Sequence, residues 1–193
     1  MLFKITSRKG ILHYSIHKHQ KTAVIISITD IASPTPRIIK NFAKNGIRDV
    51  LLLKFNDVSL HSPNCISQED ATAIVDFVRA NLDVDLIIFH CEMGISRSAG
   101  CCAAVMRYFG DDYESIFCSD TYRPNIGCFE RVCEAFGKPI AKDKLQDLKK
   151  KNRNIWKNKT KLEKLGSLIR LLFSVNTDQI YRQVVIRRCE KHA

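Results

Sequence analysis

Runs of apolar residues alternate along the first two thirds of the chain with stretches whose apolar positions recur at helical spacing. Three of the runs, residues 22–28, 50–55 and 84–89, are rich in β-branched and large aliphatic residues. Continuous apolar runs of this length are typical of strands buried on both faces. Two weaker segments, residues 2–5 and 11–16, are also predicted as short strands, the second because polar and apolar positions alternate in it.

Helices are predicted between these strands and after the last of them. Ser67, with Asp70 three residues later, forms a capping-box pattern at the start of a helix over residues 68–82. Further helices are predicted at residues 37–45, 98–108, 113–117 and 125–136. Because strand and helix alternate, we expect an α/β fold with a central, mostly parallel sheet flanked by helices.

The segment from residue 90 to residue 98 carries the strongest chemical signal in the sequence. It consists of His90, Cys91, Glu92, Met93, Gly94, Ile95, Ser96, Arg97 and Ser98. The segment joins a predicted buried strand to a predicted helix, so it should lie at the carboxyl edge of the sheet, where α/β proteins bind ligands. The backbone N–H groups of Glu92 to Arg97 are therefore predicted to form a cradle for a tetrahedral anion such as phosphate.

Five residues of this segment fit a reaction at phosphorus. The positive field of the cradle favours the thiolate of Cys91, which is the nucleophilic form of cysteine. The planar guanidinium of Arg97 can bind two phosphate oxygens at once. Gly94 allows the backbone torsion of a tight loop. His90 can orient the loop through hydrogen bonds, and the Ser98 hydroxyl can donate to the sulfur as it leaves phosphorus.

The distance in sequence between a cysteine and an arginine is not informative by itself. Cys101 and Arg107 have the same spacing, but no glycine lies between them and their segment is predicted to be helical. The alternative for Cys91 is an inert buried thiol at the end of a core strand.

Through these residues, the chain resembles the cysteine-dependent protein phosphatases, and among them the small dual-specificity-like members of bacteria and phages. The signature of that family is His-Cys-x-x-Gly-x-x-Arg-Ser/Thr, and residues 90–98 match all of its fixed positions. The resemblance covers about residues 1–137 and includes residues 26–30, 55–58, 67–81 and 123–125. It implies a protein tyrosine phosphatase-like fold, a phosphocysteine intermediate at Cys91, and no requirement for a metal or cofactor.

Departure of an alcohol or phenol from phosphorus needs a proton, which a carboxylic acid on a nearby loop can supply. Asp57 follows the predicted strand 50–55, which we expect to neighbour the strand that leads to Cys91. The resemblance also implies a general acid at about this position, so Asp57 is the first choice, although an Asp here can also start a turn. Asp30, which follows the strand 22–28, is the second choice.

The predicted function is hydrolysis of a phosphomonoester, with a protein-tyrosine or dual-specificity phosphatase acting on a phosphorylated protein as the leading interpretation. Two alternatives stay open: an RNA 5′-triphosphatase or other nucleotide-directed phosphatase, and a non-catalytic module that binds phosphorylated proteins. The intact set of Cys91, Arg97 and Asp57 favours an enzyme. The resemblance also makes Glu92 informative, because similar enzymes that act on inositol phospholipids tend to carry Lys there. Glu92 thus argues weakly against a polyanionic lipid substrate.

The charge of the chain changes near residue 137. Residues 1–137 hold 15 Lys or Arg and 15 Asp or Glu, whereas residues 138–193 hold 16 and 5, so the formal net charge of +11 lies in the second segment. We predict a catalytic domain at residues 1–137 and a basic helical extension at residues 138–193, with a capping box at residues 160–163. The extension is either a solvated face of helices packed on the domain or a docking surface for nucleic acid, a membrane surface or an acidic protein.

Cysteine usage and the N-terminal sequence bear on the compartment. The 8 cysteines have irregular spacing, and the first residues lack the pattern of a signal peptide, so we expect a reducing cytoplasm. Cys118, Cys128 and Cys133, with a nearby His, could in principle bind zinc, but their spacing matches no common zinc finger, so no metal is predicted.

Overall fold

Four parallel strands form the centre of the computed structural model, which describes residues 1–17, 19–36 and 45–158. The strands are β1 (Leu2–Ser7), β2 (Ala23–Thr29), β3 (Ile47–Lys54) and β4 (Leu86–Cys91). They lie in the order β1-β4-β2-β3, and each neighbouring pair is parallel. The carboxyl ends of these strands therefore meet at one edge of the sheet.

Described helices lie between β1 and β2 and between β3 and β4, and further helices follow β4, so the predicted α/β class with a parallel sheet is confirmed. Within the described residues they are α1 (Arg8–Ile16), α2 (Gln68–Arg79), α3 (Arg97–Phe109), α4 (Glu114–Phe117), α5 (Ile126–Ala135) and α6 (Lys142–Asn158). The predicted capping box of α2 is present. The Asp70 N–H donates to Ser67 Oγ at 3.0 Å, and the Ser67 N–H donates to the Asp70 carboxylate at 2.9 Å.

Alternate residues of the central strands face opposite sides of the sheet and belong to two clusters of buried side chains. On one side, residues such as Ile26 and Phe89 pack with the buried faces of α2, α3 and α5. On the other side, Ile25 and Ile88 belong to a smaller cluster with residues of α1. The larger core supports the segment between β4 and α3, which carries the predicted chemistry.

The prediction of a strand at residues 11–16 is wrong, because these residues belong to α1. Ser7 caps the helix, since its hydroxyl accepts a hydrogen bond from the Gly10 N–H at 3.2 Å. Ile11, Tyr14 and Ser15 are buried on one face, which is helical spacing. The polar alternation in this segment resembles a strand, but the cap and the i, i+3 pair of large side chains favour the helix.

The prediction that β3 and β4 are neighbouring strands is also wrong. β2 lies between them and pairs with both, so the strand before Asp57 is not adjacent to the strand that ends at Cys91. All residues of β2 are buried, as its β-branched sequence predicts for a central strand. The strand end next to Cys91 on this side is therefore that of β2, which Asp30 follows.

The first part of the basic extension packs on the same core as the residues before it. Leu145 and Leu148 of α6 are buried in the larger cluster together with Phe117 and Phe129. The change in charge near residue 137 is thus not a break in packing. The helix predicted at residues 37–45 lies, except for its last residue, outside the described residues, as does the capping box at residues 160–163.

Three further observations apply to the described part of the chain. No helix there combines the length and the apolar character needed to span a bilayer. No group of three or more His, Cys, Asp or Glu side chains there is arranged to hold a metal ion. Its cysteines are free thiols.

Candidate active site

The segment between β4 and α3 forms a tight loop supported by β1. Cys91 ends β4 in register with Ser7 of β1, and α3 begins at Arg97. Gly94 has a φ of +69°, and a Cβ atom there would lie 2.5 Å from the carbonyl carbon of Thr6. Two features of this position therefore require glycine, namely the backbone torsion and the close approach to the β1 backbone.

Cys91 lies at the base of this loop, with its side chain 2% exposed. Its Sγ atom accepts a hydrogen bond from the Gly94 N–H at 3.3 Å and lies 3.1 Å from Ser98 Oγ. A backbone N–H and a hydroxyl thus surround the sulfur, as the sequence predicts for Ser98. Both groups can donate to a sulfur that attacks or leaves phosphorus.

Arg97 is buried at the first position of α3, with its side chain 4% exposed. Nη1 donates to the Phe55 carbonyl at 2.7 Å and lies 2.9 Å from a carboxylate oxygen of Asp30. Nε is buried and has no hydrogen-bond partner among the described residues. Because buried donors are normally paired, this N–H marks a place where an oxyanion would be bound.

The N-terminus of α3 adds further donors to the loop. The first N–H groups of any helix lack intrahelical acceptors, and the residue before α3, Ser96, makes no capping hydrogen bond with its side chain. Together with Nε of Arg97, these groups are donors that can bind an oxyanion, and phosphate binding by this loop stays a prediction. Met93 and Ile95, the loop residues with large apolar side chains, are half-buried.

Asp57 reaches the loop although its strand lies two positions away in the sheet. One of its carboxylate oxygens, Oδ1, accepts hydrogen bonds from Ser96 Oγ and Asn125 Nδ2, each at 2.8 Å. The Asp57 side chain is otherwise exposed to solvent. The structure therefore brings together Cys91, Arg97, Ser98 and Asp57, as the sequence predicts, through contacts that the sequence does not reveal.

Residues 123–125 also hold the loop, through two backbone hydrogen bonds. The Arg123 N–H donates to the Ile95 carbonyl at 3.0 Å, and the Asn125 N–H donates to the Ser96 carbonyl at 3.1 Å. Gly100 makes this approach possible, because a Cβ there would lie 2.4 Å from the Asn125 carbonyl oxygen. Sequence reasoning noted residues 123–125 as part of the resemblance but assigned them no role.

Two ion pairs at the site were missed by sequence reasoning. Asp30, placed second as a general acid, is instead the partner of the buried Arg97. Arg8, at the start of α1, pairs with Glu92 at 2.7 Å, and its backbone N–H donates to the Glu92 carbonyl at 3.1 Å. Glu92 is thus a paired acid, so its charge is a weaker argument against a polyanionic substrate than the sequence suggested.

His90 is fully buried below the loop. Burial lowers its pKa to about 4. A polar contact with the Cys91 backbone raises the pKa in part, while the charges of Arg8 and Arg97 lower it further. Neither ring nitrogen makes a hydrogen bond of normal geometry to a described residue. The structure therefore does not contain the hydrogen bonds through which His90 was predicted to orient the loop, and it places a neutral imidazole there at neutral pH.

Solved structures of protein tyrosine phosphatases are similar to this chain, whereas no protein-family model and no curated protein matches it. The active form of Tk-PTP is 16% identical, with a TM-score of 0.38, and the match covers 79% of this chain and 90% of that one. PTPMT1 in complex with PI(5)P is 17% identical, with a TM-score of 0.36 and coverages of 69% and 78%. A further structure of PTPMT1 is 17% identical, with a TM-score of 0.32 and coverages of 80% and 89%.

The buried His90 predicts a pH dependence of stability. Its pKa is near 6.5 in the unfolded chain and about 4 in the folded one, so the unfolded state binds more protons between these values. The contribution is therefore fully present above pH 6.5 and is lost as the pH falls towards 4. Between pH 7 and pH 5 this amounts to about 2 kcal/mol. Urea unfolding measures the free energy of unfolding at both pH values. From pH 7 to pH 5 this free energy should fall by about 2 kcal/mol less in His90→Gln than in wild type. In His61→Gln, a change at an exposed histidine, it should fall as much as in wild type. Identical losses in wild type and His90→Gln would contradict the assignment.

Gly94 and Gly110 provide a matched pair of glycines for testing the close contact between the loop and β1. Both have positive φ angles, +69° and +78°, but a Cβ at Gly110 would have no neighbour within 4 Å. We expect Gly110→Ala to reduce the free energy of unfolding by about 1 kcal/mol through torsional strain. Gly94→Ala should lose at least about 2 kcal/mol, because the loop must also move away from β1. Urea denaturation measures both, and equal losses would show that the loop can shift freely.

Proposed function

We propose that this protein is a phosphomonoester hydrolase of the protein-tyrosine or dual-specificity phosphatase type, which forms a phosphocysteine at Cys91. The observation that carries the proposal is the position of the Cys91 sulfur. It lies at the base of a helix-start loop, within 3.1 Å of the Ser98 hydroxyl and 3.3 Å of the Gly94 N–H. The buried Arg97 lies at the other end of this loop, and its Nε has no hydrogen-bond partner in the described part of the chain.

In the first step the Cys91 thiolate attacks phosphorus in line with the leaving oxygen. The S–P bond forms as the P–O bond breaks, and Asp57 transfers its proton to the departing oxygen. Loop N–H groups and Arg97 hold the equatorial oxygens of the phosphoryl group, so the charge that is redistributed in the transition state is stabilised.

In the second step water attacks the phosphocysteine. Asp57, now a carboxylate, takes a proton from this water as the P–O bond forms and the S–P bond breaks. The Ser98 hydroxyl donates a hydrogen bond to the departing Cys91 sulfur, and inorganic phosphate is released. Protein groups and the attacking water supply every proton, and protein groups supply every electrostatic contact in this scheme, so we propose no metal or cofactor.

Asp57 is the better general acid of the two candidates because of its hydrogen bonds. Both of its donors, Ser96 and Asn125, bind Oδ1, which leaves Oδ2 without a partner among the described residues and able to carry the proton. Asp30 is instead engaged with Arg97. We assign Asp30 the task of holding the guanidinium in place and Asp57 the task of protonating the leaving group.

For the substrate we propose a phosphorylated protein, with phosphotyrosine and phosphoserine or phosphothreonine both accepted. The exposed position of Asp57 supports this, because an acid in contact with solvent can reach the leaving oxygens of substrates that differ in size. Basic residues of α6 are exposed and would suit an anionic partner. A cytoplasmic location remains a prediction from cysteine usage.

Cys91→Ser should abolish turnover of an aryl phosphate, with a loss of about 10⁴-fold or more, because the hydroxyl is a far weaker nucleophile. Cys118→Ser, a change at an exposed cysteine, is the control and should retain wild-type turnover. Retained activity in Cys91→Ser would refute the phosphocysteine mechanism.

A wild-type protein that releases phosphate from 5′-triphosphate RNA but not from phosphotyrosine peptide would favour the nucleotide-directed alternative. Binding of the peptide without turnover would indicate a non-catalytic module.

Asp57→Asn and Asp30→Asn should be separable by the leaving group of the substrate. Loss of the general acid slows substrates with poor leaving groups by about 10²-fold or more and spares activated esters such as dinitrophenyl phosphate. Asp30→Asn should slow both kinds of substrate to a similar degree, because it disturbs Arg97 and therefore phosphate binding. Steady-state kcat values for the two esters decide this, and the opposite pattern would exchange the two roles.

A further inference from the structure

Asn152 interrupts the buried face of α6 with a polar side chain. It follows the core residues Leu145 and Leu148 at helical spacing and is itself 7% exposed. Its Nδ2 donates to the Phe117 carbonyl at 2.9 Å and to the Tyr122 carbonyl at 3.1 Å. An amide in such a place is unfavourable unless it is hydrogen-bonded, so these two bonds are the structural reason for Asn152.

Trp156, one helical turn later, binds the same carbonyl. Its indole Nε1–H donates to the Tyr122 oxygen at 2.9 Å. The Tyr122 carbonyl therefore accepts two hydrogen bonds, both from side chains of α6. A carbonyl with two acceptor sites occupied in this way is fixed in orientation, and so is the peptide unit that leads to residue 123.

The segment fixed in this way is the one that holds the active-site loop. Directly after Tyr122, the N–H groups of Arg123 and Asn125 donate to carbonyls of the loop at 3.0 Å and 3.1 Å. The Asn125 side chain then donates to Asp57 at 2.8 Å and to the Val58 carbonyl at 3.1 Å. A continuous series of hydrogen bonds thus runs from α6 through residues 122–125 to the proposed general acid.

We infer that α6 is a positioning element of the active site: Asn152 and Trp156 fix the Tyr122 carbonyl, and through Asn125 they hold Asp57 over the loop. The inference rests on the proposed function of Asp57. It gives a part of the basic extension a role in catalysis that is independent of its charge. Neither residue contacts the reacting atoms, so both are positioning residues.

Asp57 needs such support because of where it lies. It sits in an exposed connection after β3 rather than in a strand or helix, and its carboxylate is held by Ser96 and Asn125. If Asn125 shifts, one of these two donors is lost and the carboxyl group spends less time in line with the leaving oxygen. Protonation of the leaving group then becomes slower, whereas phosphate binding by Arg97 is unchanged.

The test uses the full chain with Trp156→Phe, which keeps an aromatic ring and removes the N–H donor. We expect kcat for a poor leaving group such as phenyl phosphate to fall about 10-fold or more, because small displacements of a catalytic group reduce rates strongly. The kcat for dinitrophenyl phosphate should stay within about twofold of wild type. Combined with Asp57→Asn, Trp156→Phe should cause no additional loss on phenyl phosphate, since both changes act through the same carboxyl group.

Asn152→Leu provides a second variant that continues the apolar face of α6 and removes the other donor. Arg153→Gln, at an exposed position between the two, is the matched control and should match wild type on both esters. Amide hydrogen exchange at Arg123 and Asn125 gives a readout without catalysis. It should become faster in Trp156→Phe and Asn152→Leu and stay unchanged in Arg153→Gln.

The possible outcomes separate the inference from the proposed function. Equal losses on both esters, or losses that multiply with that of Asp57→Asn, would overturn the positioning role even if the wild-type protein is an active phosphatase. Unchanged hydrogen exchange in both α6 variants would overturn it as well. A wild-type protein that hydrolyses neither ester would instead refute the proposed function, while the exchange data would still decide whether α6 fixes residues 123–125.

Discussion

The burial of the Arg97 guanidinium is the constraint on which the arrangement of the site depends. A buried cation is costly unless it is paired and hydrogen-bonded, and Arg97 meets this requirement with Asp30 and the Phe55 carbonyl. These partners follow β2 and β3, so the ends of two strands must converge on the start of α3. The same convergence carries the segment after Phe55, and with it Asp57, to the loop that holds Cys91.

The two halves of the proposed chemistry are held in different ways. Phosphate binding relies on buried groups at the start of α3, where the close contact between Gly94 and β1 leaves little freedom. Proton transfer relies on Asp57, an exposed side chain held by Ser96 and Asn125. Because Asp57 is exposed, it is accessible both to the leaving group in the first step and to the attacking water in the second, which a fully buried carboxyl group would not be.

Local patterns predicted most elements of this structure apart from α1, whereas the order of strands and the contacts between distant residues could not be predicted in the same way. The capping box at Ser67 and the strand–loop–helix order around Cys91 are local, and both are present. The order of strands is set by tertiary packing, so nothing in the sequence showed that β2 separates β3 from β4. The pairing of Arg97 with Asp30 follows from that order, which is why Asp30 was placed second as an acid rather than identified as the partner of Arg97.

The charge of the extension gave an incomplete picture of α6 for a related reason. Net charge suggested a solvated face or an anion-binding surface, yet Lys144 and Lys151 pair with Glu114 of α4, which fastens the helix to the domain. The buried face of the same helix presents Asn152 and Trp156 to the segment beside the loop. Docking on the domain uses the buried face of α6 together with Lys144 and Lys151, and it leaves other exposed cations, such as Lys150, for the anionic partner proposed above. Variants at such cations would weaken partner binding and leave the contacts of Asn152 and Trp156 in place, so a role of α6 in partner binding and a role in positioning Asp57 are physically separable.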